Sequence, residues 1–343
     1  MLRFGIFDHL DDDGTPRGAQ FEQRLRLVEL IEREGFHAYH LAEHHGTPLG
    51  CAPSPSVFLS AIAQRTRRLR FGPLVYLLPL YHPLRLFEEI CMLDQLSGGR
   101  LELGVGRGGA LLEHQRYGVD PQLASAMYHE AYDLLMRAFA SDVLDYEGRF
   151  TTVRDYVVTT KCVQQPHPPI WYGCSNVEAA VWAAQNGVNV VSLGPVARAK
   201  EIGARYRAEW SAAGRRDADL PLIGITRHVV VGATDAEAQR IARAAYRSWR
   251  KAIAFIWERS GADFPLDAAY PETWDGLAAA GHGFAGSPAT VRAQIAELQA
   301  QTGVTYVVCQ MIFGQMSPED AAGSLTRFAR EVMPAFAAAP AEA

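Results

Sequence analysis

Long apolar runs are missing from this 343-residue chain. No stretch of about 18 apolar residues occurs, so no membrane-spanning helix is expected. The opening MLRFGIFDHLDDDG carries no apolar signal-peptide core, which makes a cytoplasmic location the default expectation. Cysteine is scarce too. The five present (Cys51, Cys91, Cys162, Cys174, Cys309) are odd in number and never in CxxC spacing, which argues against a disulfide framework or a zinc ribbon. Massed positive charge is absent: the formal net charge is −5, and the densest basic cluster is RTRRLR at 65–70. Nucleic acid binding needs a contiguous basic surface to neutralise phosphates, and none is expected here. HExxH, a paired HxH and GxSxG are all missing, which removes the usual metal-dependent and serine hydrolases. DDDG at 11–14 reads as a solvated acidic turn.

What is present is alternation. Eight β-rich runs stand at 3–7, 37–42, 69–77, 100–106, 170–173, 188–193, 222–231 and 305–312. Amphipathic helical patterns lie between them, such as Phe21, Leu25, Val28 and Ile31, or Val291, Ile295 and Leu298. Ser287 followed by Pro288 starts a helix, and Gly35 and Gly187 end helices just before a strand. Eight strands each followed by a helix predict an α/β fold, a (β/α)8 TIM-like barrel. One domain is expected over 1–343, with insertions at about 141–169 and 259–285.

In such a barrel the strand C-termini and the loops after them build the site. That nominates FDHL after the first run, LAEHHG after the second and GRGG after the fourth. YLLPLYHP after the third, GCSN after the fifth and SLGP after the sixth complete the set. Alternation puts Ala38, His40, Ala42 and His44 on one face, with Tyr39, Leu41, Glu43 and His45 on the other. His44 would point into the barrel mouth, although a lone histidine also serves purely structural ends. Adjacent His44 and His45 point apart and do not easily chelate one ion, so no metal is expected.

GVGRGG at 104–109 satisfies GxGxxG, but GALLEHQRYGVDPQ follows it, broken by Gly118 and Pro121. A dinucleotide fold needs a helix at once and an acidic residue about 20 positions on, so NAD binding is not expected. The glycines still allow backbone N–H groups to approach a phosphate, and Arg107 adds a cation with bidentate geometry. Ser175 or Asn176 can cap the helix that follows; its N-terminus can also receive a phosphate. LVYLLPLYHPLRL at 74–86 offers apolar and aromatic walls, for a flat ring system or for the core, with His82 as a turn residue before Pro83.

LAEHHG, LPLYHPLRLFEEICMLDQLSGGRLELGVGRGG, PHPPIWYGCSN and GSPATVRAQIAELQAQTGV occur in this order. Together they resemble the bacterial luciferase-like flavin-dependent oxidoreductases, from RFGIF to REVMPAF. The resemblance implies a TIM-like barrel with insertions, usually dimeric, holding a flavin at the strand C-termini. It makes His44 an acid/base near the isoalloxazine, Arg107 the phosphate-binding arginine, and Ser175 with Asn176 a second phosphate loop. Glu43, Leu74, Val75, Tyr76, Gly106 and Gly108 would line the cofactor. A non-proline cis peptide is implied at about Leu74–Val75. Light-emitting relatives carry a cysteine where this chain has Gly106; light emission is therefore not implied, and room at the flavin is.

The expected function is a monooxygenase that takes reduced FMN from a separate flavin reductase and uses O2 to oxidise a small organic substrate. A histidine's ordinary pKa of about 6.5 suits proton exchange in such chemistry. Two alternatives stay open: hydride transfer by the deazaflavin F420 on the same fold, or a non-catalytic flavin-binding protein. The substrate is not readable. FDHL, SLGP and the two insertions are where its determinants are expected, and the homodimer is expected through early helices.

Overall fold

The β-rich runs pair in parallel around a barrel in the computed structural model, which describes residues 1–337. The chain begins β1 (Arg3–Asp8), α1 (Arg17–Arg33), β2 (Ala38–Leu41), α2 (Pro55–Arg65), β3 (Arg70–Pro73), β4 (Tyr76–Leu77) and α3 (Pro83–Ser97). It continues through β5 (Leu103–Gly106), α4 (Leu111–Arg116), α5 (Ala124–Ala140), β6 (Val143–Glu147), β7 (Thr152–Val157) and β8 (Ile170–Gly173). Then come α6 (Val177–Asn186), β9 (Asn189–Ser192), α7 (Val196–Ala212), β10 (Ile223–Val231) and α8 (Asp235–Arg259). The last elements are α9 (Trp274–Ala279), β11 (Gly283–Gly286), α10 (Pro288–Thr302), β12 (Tyr306–Gln310) and α11 (Pro318–Arg327).

The strand order is β3-β2-β1-β12-β10-β9-β8-β5-β4. β3 and β4 are one predicted run interrupted at the cis Leu74–Val75 peptide, so eight barrel strands result. A parallel bridge from Phe71 to Leu101 closes the ring. β11 pairs with β10 outside this path. It is not among the eight predicted runs, because its sequence GFAG contains no β-branched residue. The 141–169 insertion is an antiparallel β6–β7 hairpin that leans on α3 and α5, with Tyr156 Oη donating to Glu88 and Glu130 capping the turn at Phe150 and Thr151.

Local chemistry explains the helix ends. Proline stands in the first turn of α2, α3, α10 and α11, where a missing N–H costs nothing. Asn176, Thr234 and Ser317 accept from the first-turn N–H groups of α6, α8 and α11. Ser287 stands at the N-cap of α10 as expected, but its side chain makes no cap bond; Asp235 takes its backbone N–H instead. In DDDG, Asp12 and Asp13 are partly exposed, whereas Asp11 is buried. Its carboxylate accepts from the Gly314 N–H at 2.6 Å, tying the β1 end to the β12 end. The solvated turn expected there is therefore only half right: burial raises the Asp11 pKa to about 7.

Inside the barrel lie Phe7, Ala42, Leu74, Trp171, Val191, Tyr306 and Val308. Two glycines make room for this layer. A Cβ on Gly5 would coincide with the Tyr306 hydroxyl, and one on Gly72 with the Glu102 carbonyl oxygen. His40 points inward and bonds Tyr306 Oη at 2.9 Å. Tyr39 turns the other way and donates to Asp8 at 2.5 Å, beside Arg24 of α1. The alternation expected over 38–45 holds for Tyr39 and His40; β2 ends at Leu41, and beyond it Glu43, expected on the outer face, borders the cavity beside His44.

His40 and His228 are both buried. Burial, with nearby positive groups adding to it, lowers each imidazole to about 3. In the unfolded chain they titrate near about 6.5. Between those values unfolding takes up protons, so their contribution is full above about pH 6.5 and is lost progressively as pH falls towards 3, by up to about 1.4 kcal/mol per unit for each. Urea midpoints are expected to fall between pH 7 and pH 5, and less steeply in His40→Gln. A midpoint flat over that range would mean that these rings take up protons in the fold as readily as in the unfolded chain.

Candidate active site

The strand C-termini converge on a cavity of about 660 Å³. β1 sends Phe7 and His9 to it, β2 sends Ala42, Glu43 and His44, and the β3–β4 junction sends Leu74, Val75 and Leu77. The loop after β5 supplies Gly106 to Ala110, the end of β8 Tyr172, Ser175 and Asn176, and the end of β9 Leu193. Ile253, Ile256 and Trp257 of α8, with Pro265, Leu266 and Tyr270, form the remaining wall. The 259–285 insertion therefore reaches the cavity. The 141–169 insertion contributes nothing to the lining, because it joins a helix back to a strand and so sits where the strands begin. Its expected role in substrate selection is withdrawn.

His44 is partly exposed to the cavity and its Nδ1 lies 3.3 Å from Glu113 Oε1. The same oxygen accepts the His45 backbone N–H at 2.8 Å. Glu113 is buried, which by itself raises its pKa, but the bonds from His44 and the His45 N–H outweigh this and hold it below the ordinary value. An ionised Glu113 draws the imidazole proton to Nδ1 and leaves Nε2 as the nitrogen free to exchange a proton. Glu113 was not singled out from the sequence. The only signal was an acid in a short helix after the glycine-rich loop.

His45 turns away from His44. Its Nε2 meets Glu43 at 2.8 Å and its Nδ1 meets the Tyr117 hydroxyl at 2.8 Å. The other Glu43 oxygen accepts the Leu77 N–H at 3.1 Å. Glu43 borders the cavity, as expected of a residue beside the cofactor, and both its oxygens are engaged in joining β2 to β4. Among the described residues no group of three or more His, Cys, Asp or Glu side chains could hold a metal ion.

Arg107, Ser175 and Asn176 come together on one side of the cavity. Arg107 is exposed, and among the described residues its guanidinium has no hydrogen-bond or salt-bridge partner, while its carbonyl accepts from His114 at 2.7 Å. Gly108 follows with φ +90, and a Cβ there would press on the His114 ring at 3.0 Å. Asn176, not Ser175, caps α6, accepting from the Ala179 N–H at 2.8 Å. Three further lining residues went unread in the sequence: Ser125, Tyr128 and His129 on α5. Burial drives the Tyr128 phenol far above its usual range, and its hydroxyl is without a partner among the described residues. An uncommitted arginine, a helix N-terminus and an orphaned hydroxyl fit an anion such as a phosphate.

Two expected wall positions need correction. Tyr76 faces away from the cavity, fully buried, with its hydroxyl 2.8 Å from Ser56 Oγ. Strand alternation turns it outwards while Val75 and Leu77 face in. Gly106 does not leave empty space: a Cβ built there would meet Val75 Cγ2 at 2.5 Å. Val75 already fills the volume that a side chain at 106 would occupy. A flat ring resting on Leu74 and Val75 fits this wall.

The luciferase-like monooxygenase family profile matches residues 2–306. An uncharacterised protein of Sinorhizobium fredii is 41% identical over 320 residues, 93% of each chain. The oxygenase component of a flavin-dependent trigonelline monooxygenase from Acinetobacter baylyi is 28% identical across 69% of this chain and 67% of its own. The crystal structure of monooxygenase RslO1 from Streptomyces bottropensis superposes with a TM-score of 0.84 at 27% identity, covering 98% of this chain and all of that one.

Proposed function

This chain belongs to the luciferase-like monooxygenase family, and from that premise we propose that it is the oxygenase half of a two-component system. It takes reduced FMN from a separate reductase and uses O2 to oxidise a small organic substrate. The observation that carries this reading is the division of one cavity. A cationic, phosphate-type end formed by Arg107, Ser175 and Asn176 lies in the same cavity as a largely apolar end, and His44 belongs to the wall between strands β1 and β4.

Reduced flavin, when bound, supplies the electrons that activate oxygen. The protein's own residues bind, shield and move protons. Arg107 and the α6 N-terminus hold the phosphate. Leu74 and Val75 support the ring, and the α8 wall excludes water. His44, its Nδ1 turned to Glu113, gives or takes a proton at Nε2. The oxygenase-component relative supports a reductase as a separate polypeptide, as does the lack of a nicotinamide fingerprint in this sequence.

The test is rapid mixing of anaerobic protein and reduced FMN with oxygenated buffer, following the flavin spectrum. Reoxidation slower than for free flavin, through a species unlike either the reduced or the oxidised form, is expected. Reoxidation at the free-flavin rate with no sign of binding would transfer the assignment to F420-dependent hydride transfer.

A further inference from the structure

FDHL, at the end of β1, contains a histidine that the cofactor reading leaves unused. His9 lines the cavity and is 7% exposed. Three rings hold it. Phe7 packs edge-on at 4.8 Å, Trp249 of α8 packs edge-on at 5.7 Å, and His44 stacks at 5.5 Å with 22° between the planes. Burial, reinforced by the charges of His44 and then His228, lowers its pKa well below the ordinary value, so the ring is neutral in use.

A neutral imidazole has one donor and one acceptor, and its neighbours decide which nitrogen is which. Trp249 Nε1–H can only donate, and it points at His9 Nδ1 over a long 3.5 Å. Nδ1 is therefore the acceptor and Nε2 carries the proton. Among the described residues no protein group accepts from Nε2. The lining around it is mostly apolar, with Phe7, Ile253, Ile256, Trp257 and Leu266, and its nearby polar side chains are His44, Glu43 and Thr47, all bonded within the protein. Nε2 opens to the cavity, and a ligand oxygen placed there gains a hydrogen bond in a mostly apolar setting.

We propose that His9 is a specificity-determining residue whose Nε2–H donates a hydrogen bond to an uncharged oxygen, carbonyl or hydroxyl, on an otherwise apolar substrate. The assignment of this end of the cavity to substrate rests on the oxygenase reading, because His9 stacks on the proton-exchanging His44. An anionic substrate group is disfavoured beside His9, since the ring stays neutral.

Cyclohexanone and methylenecyclohexane test this, as they share one shape and differ only in an oxygen for a methylene. Each is titrated into the protein, with and without FMN, and followed by the fluorescence of Trp249 and Trp257. The native protein is expected to bind the ketone about tenfold more tightly, the worth of one buried hydrogen bond. His9→Leu removes that preference without weakening the hydrocarbon, and His9→Gln, which keeps an N–H donor, retains most of it. Unchanged thermal melts confirm that both variants fold. Equal binding of the two probes by the native protein, binding of neither, or a ketone preference that survives in His9→Leu overturns the proposal. FMN binding is read separately. If FMN binds and the ketone preference is missing, the role of His9 falls alone; if the preference depends on His9 but FMN does not bind, the oxygenase reading falls instead.

Discussion

His44→Ala is expected to bind reduced FMN with near-native affinity while turnover falls by about a hundredfold or more, the usual worth of a positioned acid/base. His44 is not among the groups at the phosphate end; the cavity places it on the β2 side, beside Glu43 and Thr47. What alanine removes is an imidazole poised by a buried carboxylate, with Nδ1 at 3.3 Å from Glu113. Glu113 keeps the His45 N–H at 2.8 Å, so the loop after β2 has reason to stay in place. Two readouts separate the possibilities: flavin affinity by fluorescence titration, and oxygen incorporated into product. A collapse of flavin affinity, with turnover preserved in whatever flavin still binds, would mean that His44 holds the cofactor and moves no proton. Glu113→Gln should show an intermediate loss, because it keeps an acceptor for Nδ1 but gives up the charge that favours the productive tautomer.

Gly72→Ala is expected to abolish folding or to cost more than about 4 kcal/mol, the range reserved for severe steric or burial faults. Gly72 lies in β3 opposite His40 of β2, and a Cβ there would occupy the position of the Glu102 carbonyl oxygen. The obstacle is backbone of the neighbouring chain segment, which closes the barrel beside the Phe71–Leu101 bridge, so no rotamer change relieves it. Gly18→Ala is the control. Gly18 lies in the first turn of α1, with nothing within 4 Å of the new atom, and alanine there should be neutral or stabilising by up to about 1 kcal/mol. Urea unfolding of the two variants decides. A Gly72→Ala protein as stable as the native one would mean that β3 and the β5 lead-in do not meet as described.

Several of these features were legible beforehand because they are local. Strand runs rich in Val, Ile, Tyr and Phe announce themselves, and their alternation with helical patterns allows few architectures. The same alternation told that His40 faces inward and Tyr39 the helix side; past the end of β2 at Leu41 it lapses, and Ala42, Glu43 and His44 all reach the cavity. Asn176 and the prolines at helix starts act within one turn, so their spacing suffices. β11 escaped notice since GFAG earns its strand by pairing with the far end of β10, His228 to Val231, and not by its own preferences.

Fold class was legible in the sequence alone, because strand and helix runs rest on residue type and short-range spacing. Family membership was legible through the resemblance carried by the ordered motifs, which also nominated the histidine, the arginine and the Ser-Asn pair that the structure brings to one cavity. Only the tertiary structure decided which groups complete the site. Glu113 stands 69 residues from His44, and Trp249 stands 240 residues from His9. It also decided that Val75 fills the space beside Gly106, that Glu43 braces β2 against β4, and that Tyr76 looks outward. Side-chain volume and hydrogen-bond pairing are properties of neighbours in space. A sequence fixes its neighbours along the chain, while the closing of a barrel chooses the rest.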